Sequence, residues 1–207
     1  VKKEFLTCEE QRNNAIKLAY SIYKKIGIPD IIYVLLRGGA LLGNVISEYF
    51  KLINKSKRPV YYAAVVARSY KDLWNREKVK LDGWTYSPEH LRQGDLILLI
   101  DDIFDTGTTI DHLVTIITDQ GIETADIKIA VHDYKIRTYL HDHPQVQPDF
   151  YCRKHILKSP EEDIWIHYMT HELQNLSAQE LDMLHFRDAD EELKCALDLL
   201  PHAVLKE

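Results

Sequence analysis

Between Leu96 and Thr109 the chain reads Leu-Ile-Leu-Leu-Ile-Asp-Asp-Ile-Phe-Asp-Thr-Gly-Thr-Thr. An apolar run delivers two adjacent carboxylates, Asp101 and Asp102, then a third at Asp105, then a turn of small residues, Thr106 to Thr109, that opens a helix. Unpaired N–H groups and the positive end of the dipole at a helix N-terminus favour a phosphate, and small side chains let it approach. Three carboxylates beside a phosphate would repel it unless they meet sugar hydroxyls or a hard cation such as Mg²⁺. The pattern therefore calls for a phosphorylated sugar with metal nearby. The plainer alternative is a solvated acidic loop whose Asp or Thr caps the helix.

The surrounding elements must hold those groups at one level. Thr7-Cys8-Glu9-Glu10 fits a capping box, and the spacing behind it predicts a helix from about Cys8 to Lys25, ended by Gly27 and Pro29. Ile31 to Leu36 is short, apolar and β-branched, suited to a strand buried on both faces. Ala40 to Phe50 reads as a helix, Val60 to Ala67 and Asp95 to Ile100 as strands, Thr108 to Gln120 as a helix stopped by Gly121, and Asp126 to Val131 as a fourth strand. Apolar strands alternating with amphipathic helices predict an α/β fold, a parallel sheet flanked by helices, whose ligands gather beyond the C-terminal strand ends. Arg37 to Gly39, Arg68 onward and Asp101 to Thr109 all fall at such ends. Arg68 to His90 shows no periodic element and exceeds the ~12–15 residues of an inert connection, which suits a lid, with disorder or a small hairpin as the alternatives. Further on, Ser177-Ala178-Gln179-Glu180 caps another helix and 188–199 looks helical.

Composition narrows the function classes. The 207 residues carry a net charge of −6, which offers no general attraction to a nucleic-acid backbone. The longest apolar run, Val60 to Ala67, is far too short for a membrane span, and Glu9 and Glu10 arrive before any secretory apolar segment could form. Cys8, Cys152 and Cys195 are widely spaced with no paired motif, as suits a reducing cytoplasm. His141-Asp142-His143 and His167 with His171 are the metal candidates; the first lies in a polar loop beside Pro144 and the second falls where a strand is expected, so neither spacing favours a shared ion. An Asp-Asp-x-x-Asp motif also serves enzymes of prenyl diphosphates, but there it sits on a helix of an all-helical protein, whereas here it follows a strand and runs into a turn.

Leu99 to Thr109 resembles the phosphoribosyl-pyrophosphate (PRPP) motif of type I phosphoribosyltransferases, most nearly the purine branch that contains the hypoxanthine and xanthine-guanine enzymes. Val34-Leu35-Leu36-Arg37-Gly38-Gly39 resembles the family's pyrophosphate loop, which often contains a non-proline cis peptide. Arg68-Ser69-Tyr70 resembles its mobile catalytic loop, and Pro148 to Tyr151 with Asp163 to Ile166 resembles the hood over the purine. The resemblance implies a Mg²⁺-dependent transfer of 5-phosphoribosyl from PRPP to N9 of a 6-oxopurine, in a cytoplasmic homo-oligomer, dimer or tetramer, that binds neither nucleic acid nor membrane.

By the same resemblance, Asp101 and Asp102 bind the ribose hydroxyls, with Asp102 also near the metal. Asp105, Thr106, Gly107, Thr108 and Thr109 surround the 5′-phosphate, and Asp105 is the general base at purine N7. Arg37, Gly38 and Gly39 meet the leaving diphosphate. Ser69 and Tyr70 close over the site. Ile103, Lys135, Trp165 and Ile166 hold the purine, Lys135 lying just past the fourth strand. The implied organisation is a phosphoribosyltransferase domain over 1–172, its hood at about 132–172, and a C-terminal helical extension over 173–207. One departure stands out: His167-Tyr168-Met169-Thr170-His171-Glu172 replaces the family's Pro-Trp-acid segment and leaves its acidic contact open between His171 and Glu172. The alternatives are a PRPP-sensing regulator of the same fold without transferase activity, and a transferase for another nucleobase.

Overall fold

The computed structural model describes residues 2–71, 77–140, 144–173, 176–186 and 189–199. At its centre, strand β2 (Ile31–Leu36) sends Ile31, Tyr33 and Leu35 into one apolar cluster and Ile32 and Val34 into another. Such a strand needs cover on both faces. Helices α1 (Cys8–Ile26) and α2 (Ala40–Ile53) supply it on one side through Leu18, Ala19, Ile22, Leu42, Ile46 and Phe50. Helix α3 (Thr108–Thr118) supplies it on the other through Ile110, Leu113, Val114 and Ile117. The capping box at Thr7 and Glu10 starts α1, and Gly27 at φ +82° ends it.

The strands flanking β2 are β3 (Tyr61–Lys71) and β5 (Ile97–Phe104); β4 (Glu77–Trp84), β6 (Ile127–Arg137) and β7 (Phe150–Leu157) complete a sheet of order β4-β3-β2-β5-β6-β7. All neighbours run parallel except β3 and β4. This is the predicted α/β class. The antiparallel edge agrees with the hairpin alternative for the stretch after Arg68: strand β3 runs on to Lys71 and pairs antiparallel with β4 from Glu77.

Two strands outlast their predicted ends. Strand β5 continues through Asp101 and Asp102 to Phe104, and β6 continues past Val131 to Arg137, so that Lys135 lies within the strand and not after it. The two run in register, Asp101 beside Val131 and Ile103 beside Asp133. Of the segment expected as a hood, 132–137 and 150–157 belong to this main sheet. The part that stands apart is β8 (Ile164–Tyr168), which pairs in parallel with β1 (Lys2–Leu6), a strand the sequence pattern did not announce.

Alternation along β1 gives the small sheet two faces. Leu6 joins Ile166 and Tyr168 over Ile103, while Phe5 packs with Leu176, Leu181 and Leu197. Those last residues come from α4 (Ala178–Leu181), α5 (Glu191–Asp198) and the segment before them, and Lys3 adds an ion pair with Glu180 at 2.7 Å. The C-terminal helices thus dock on the outer face of β1. No helix among the described residues is long and apolar enough to cross a membrane.

Gly43 shows how tightly α2 sits on the sheet. A Cβ there would overlap the side chain of Val34. Alanine is the better helix former by ~1 kcal/mol, but overpacking costs ~1–3 kcal/mol. Gly43→Ala is expected to lower the urea midpoint with an unchanged m value; a raised midpoint would show that α2 can shift freely.

Candidate active site

The site begins where β5 stops being apolar. Asp101 and Asp102 still lie within the strand, and the Asp102 N–H donates to Asp101 Oδ1 at 2.9 Å. Burial, and then the charge of Asp102, push the Asp101 carboxyl well above the usual range. Burial also raises Asp102, opposed by its bonding to Asp101 and by His171, whose Nε2 stands 3.7 Å from Asp102 Oδ2. Two like charges are therefore held together in a desolvated place, which disfavours the doubly ionised form.

The loop after β2 closes against this pair. The Leu36–Arg37 peptide is cis. Gly39 donates its N–H to Leu35 O at 3.0 Å, and a Cβ on it would lie 2.7 Å from Ile100 O and 2.8 Å from Leu35 O. A Cβ on Gly38 would overlap the Asp102 carboxylate. Bare backbone is thus required at both positions. Arg37 itself is exposed.

Beyond Phe104 the chain turns through Thr106 and enters α3 with Gly107 at φ +78°. No side chain caps this end of the helix. Thr106 and Thr108 share a hydroxyl hydrogen bond of 3.1 Å, and a Cβ on Gly107 would strike Pro144 and Phe104. Asp111 in the first turn accepts the N–H groups of Gln145 and Val146 at 2.9 and 3.0 Å, which pins the neighbouring loop. Asp101, Ile103, Asp105, Thr106, Gly107 and Thr109 all line one cavity of about 250 Å³ here.

A larger cavity of about 590 Å³ adjoins it, lined by Asp105, Thr106, Thr108, Lys135, Arg137 and Pro144 among others. Charges alternate along its wall. Arg137 Nη1 donates to Asp105 Oδ1, and its Nη2 donates to Asp163 Oδ2 at 2.8 Å. Lys135, 7% exposed, donates to Asp163 Oδ1 at 2.9 Å and to Ile164 O at 2.6 Å. The Asp163 carboxyl is lowered overall, although burial alone would raise it, because Arg137 and Lys135 both favour its charge.

The remaining expected purine residues are dispersed. Ile103 lines the smaller cavity yet packs under Leu6 and Ile166. Ile166 is buried in that cluster. Trp165, 46% exposed, lines neither cavity; its Nε1–H donates to Glu172 Oε2 at 3.2 Å. Of the two residues left open for the acidic contact, it is His171 whose ring nitrogen faces Asp102, while Glu172 is drawn to Trp165. Ser69 and Tyr70 lie opposite Val79 and Lys78 in the β3–β4 pairing, and their side chains fall outside the described part. Residues 141–143, and with them the His141-Asp142-His143 candidate, also fall outside it. Among the described residues no group of three or more His, Cys, Asp and Glu could hold a metal by itself.

Sequence reasoning missed Arg137 at the site and Asp133, Arg153 and His155 beneath it, and it named Asp163 and Tyr168 only as parts of the hood segments. Arg137 carried one usable signal, its two-residue spacing from Lys135, which puts both on one face of a strand. The others meet only through tertiary pairing.

A model of the phosphoribosyl transferase domain matches residues 3–158. Comparison with curated protein sequences finds no match. Among solved structures, a purine phosphoribosyltransferase from Pyrococcus horikoshii superposes with a TM-score of 0.62 at 20% identity, covering 86% of this chain and 99% of that one. A hypothetical protein from Neisseria gonorrhoeae with bound ppGpp gives 0.60 at 18% identity, over 84% of this chain and 91% of its own. A hypoxanthine phosphoribosyltransferase from Staphylococcus aureus gives 0.54 at 17% identity, over 72% and 74%. At these identities the likeness is one of fold.

The strain in the aspartate pair has a measurable sign. Both carboxyls are raised in the folded chain, so folding takes up protons and the ligand-free protein loses stability as pH rises out of the ordinary carboxylate range. Asp101→Asn removes one charge and keeps the acceptor for the Asp102 N–H. Its thermal midpoint at pH 7 is expected ~2–5 °C above that of the unchanged protein, an advantage that disappears at acid pH where both carboxyls are protonated. A lower midpoint at pH 7 would mean that the pair is not repulsive.

Proposed function

The chain belongs to the phosphoribosyl transferase domain family, and from that premise we propose that it joins a 6-oxopurine through N9 to the ribose 5-phosphate of PRPP and releases pyrophosphate. One observation carries the reading: Asp101, of the desolvated aspartate pair, and Thr106, Gly107 and Thr109 of the uncapped helix mouth line the same cavity. The helix mouth suits the 5′-phosphate, through main-chain N–H groups and threonine hydroxyls. The carboxylates suit the 2′ and 3′ hydroxyls, which donate to both and relieve the raised affinity for protons.

In the reaction the bond from C1′ to the diphosphate oxygen breaks and that from C1′ to N9 forms. Positive charge develops on the sugar as the leaving group departs, and nearby carboxylates stabilise it. Asp105 is the proposed base for the purine proton at N7; Arg137 occupies its Oδ1, and a carboxylate keeps acceptor capacity on Oδ2. Lys135 is the proposed donor to purine O6, with Ile103, Trp165 and the Ile166 backbone at the base. Arg37, Gly38 and Gly39 border the diphosphate. The segment carrying Ser69 and Tyr70 is the proposed cover that keeps water from C1′.

The oxygen donors fit a hard cation. Asp102 with the substrate's own hydroxyl and diphosphate oxygens would hold Mg²⁺, in the mode where few protein carboxylates are used. Bound there, Mg²⁺ supplies neutralisation of the charge that develops on the diphosphate. The His171 ring beside Asp102 is the part of this neighbourhood that departs from an all-oxygen set.

The test is an assay with PRPP, Mg²⁺ and each nucleobase in turn, following nucleotide and pyrophosphate. Turnover is expected with hypoxanthine, guanine or xanthine. In Asp105→Asn, kcat is expected to fall by ~10²–10⁴ while PRPP affinity stays within a few-fold. Turnover only with adenine or a pyrimidine would move the assignment to another nucleobase. PRPP binding without turnover on any base would assign the chain as a sensor.

A further inference from the structure

Asp133 is the most heavily bonded buried anion among the described residues. It is fully buried on β6, next to Ile103 in the β5 register. Its Oδ1 accepts from Arg153 Nε and His155 Nε2, both at 2.7 Å. Its Oδ2 lies 2.7 Å from His132 Nδ1 and accepts the Tyr168 hydroxyl at 2.8 Å. The other ring nitrogen of His132 meets Asn14 Nδ2 at 3.1 Å, an arrangement that assigns the proton to Nδ1 and makes Nε2 the acceptor. Four donors on one carboxylate hold it ionised, which burial alone would oppose.

Tyr168 carries this fixed anion to the site. Its hydroxyl proton is shared between Asp133 Oδ2 and the main-chain carbonyl of Asp102, 3.0 Å away. Its ring stacks on His171, with centroids 5.7 Å apart and planes at 15°, and the His171 Nε2 faces the Asp102 carboxylate. Tyr168 therefore holds the Asp102 main chain directly and reaches its carboxylate only through the stacked His171 ring. Asp102 sits in a place that repels its charge, and the Tyr168 hydroxyl bonds its main-chain carbonyl.

We propose that Tyr168, oriented by Asp133, is a positioning residue that fixes Asp102 for the pentose hydroxyls and so sets the affinity for PRPP. The proposal rests on the reading of Asp102 as a ribose-binding group. Tyr168 and Asp133 touch no reacting atom; they act through Asp102.

Tyr168→Phe keeps the ring and its stack on His171 and removes the hydroxyl. The expected result is a KM for PRPP raised about tenfold, the size of one lost hydrogen bond to a charged acceptor, with kcat and the KM for the purine within about threefold. A purely structural role would lower the active fraction, hence kcat, and leave both KM values alone. Calorimetric titration with PRPP and Mg²⁺ guards against partial unfolding, because stoichiometry reports the folded fraction and Kd reports positioning. Asp133→Asn, which weakens the anchor and keeps the tyrosine, is expected to raise the same Kd. If the unchanged protein binds PRPP and Tyr168→Phe binds it equally well, the positioning role is overturned. If the unchanged protein binds no PRPP, it is the ribose reading that fails.

Discussion

Two carboxylates in succession inside a buried strand are the constraint to which the other parts of this structure answer. Unit charges of one sign about 5 Å apart repel by about 3 kcal/mol at an effective dielectric of 20, before desolvation is counted. Surface loops avoid such pairs by letting water in. Here the strand carrying them is held by β2 as far as Ile100 and by β6 on through Asp101 and Ile103 to Phe104. The glycines at 38 and 39 follow from that grip: the neighbouring loop must approach where a Cβ has no room. So does the hood, which brings Tyr168 and His171 to the same pair. A site shaped to accept hydrogen bonds from sugar hydroxyls is a site the empty protein holds at a cost, offset by the apolar faces of β2 and its helices.

The sequence makes legible those elements whose reason for existing is local. Strand β2 alternates between two buried clusters without interruption, and its limits are readable to the residue. The cap at Thr7 and the break at Gly27 are equally local, and α1 is visible from them. The pattern of strands β5 and β6 is legible only as far as Ile100 and Val131 because the burial phase changes there. Ile97 and Leu99 share a cluster with Phe104, and Ile129 and Val131 share it with Tyr134, so alternation slips by one residue in both strands at a matching level. At that slip lie Asp101, Asp102, His132 and Asp133. An apolar pattern necessarily stops where the functional groups start.

The candidate site divides along the same line. The Asp-Asp…Asp-Thr-Gly-Thr-Thr turn is contiguous, and Asp101, Asp105, Thr106, Gly107 and Thr109 line one cavity. The walls come from afar: β1 and β8 are each too short and too mixed in polarity to declare themselves, and they become strands because each supplies the other's ladder and because Leu6, Ile166 and Tyr168 cover Ile103. Nothing near Asp133 in the chain announces that Arg153, His155 and Tyr168 will meet it. Only the parallel neighbour β7 and the returning β8 bring those donors within reach.

The quartet Asp105, Arg137, Asp163 and Lys135 places a further condition on how a base enters. Two acids and two cations alternate, so each charge has an opposite neighbour, and the segment before β8 is tied through Asp163 to the floor of the larger cavity. Removing one member alone strands a partly buried charge, which costs far more than the pair contributes. A neutral 6-oxopurine avoids that cost in the proposed reaction. Its O6 meets Lys135 while Asp163 keeps Arg137, and its N7 proton meets Asp105 on the oxygen Arg137 does not use. Under that proposal the ordering of charges along the cavity would suit a ligand carrying an acceptor and a donor at that spacing over one offering two donors, which would leave Lys135 facing a hydrogen it cannot accept.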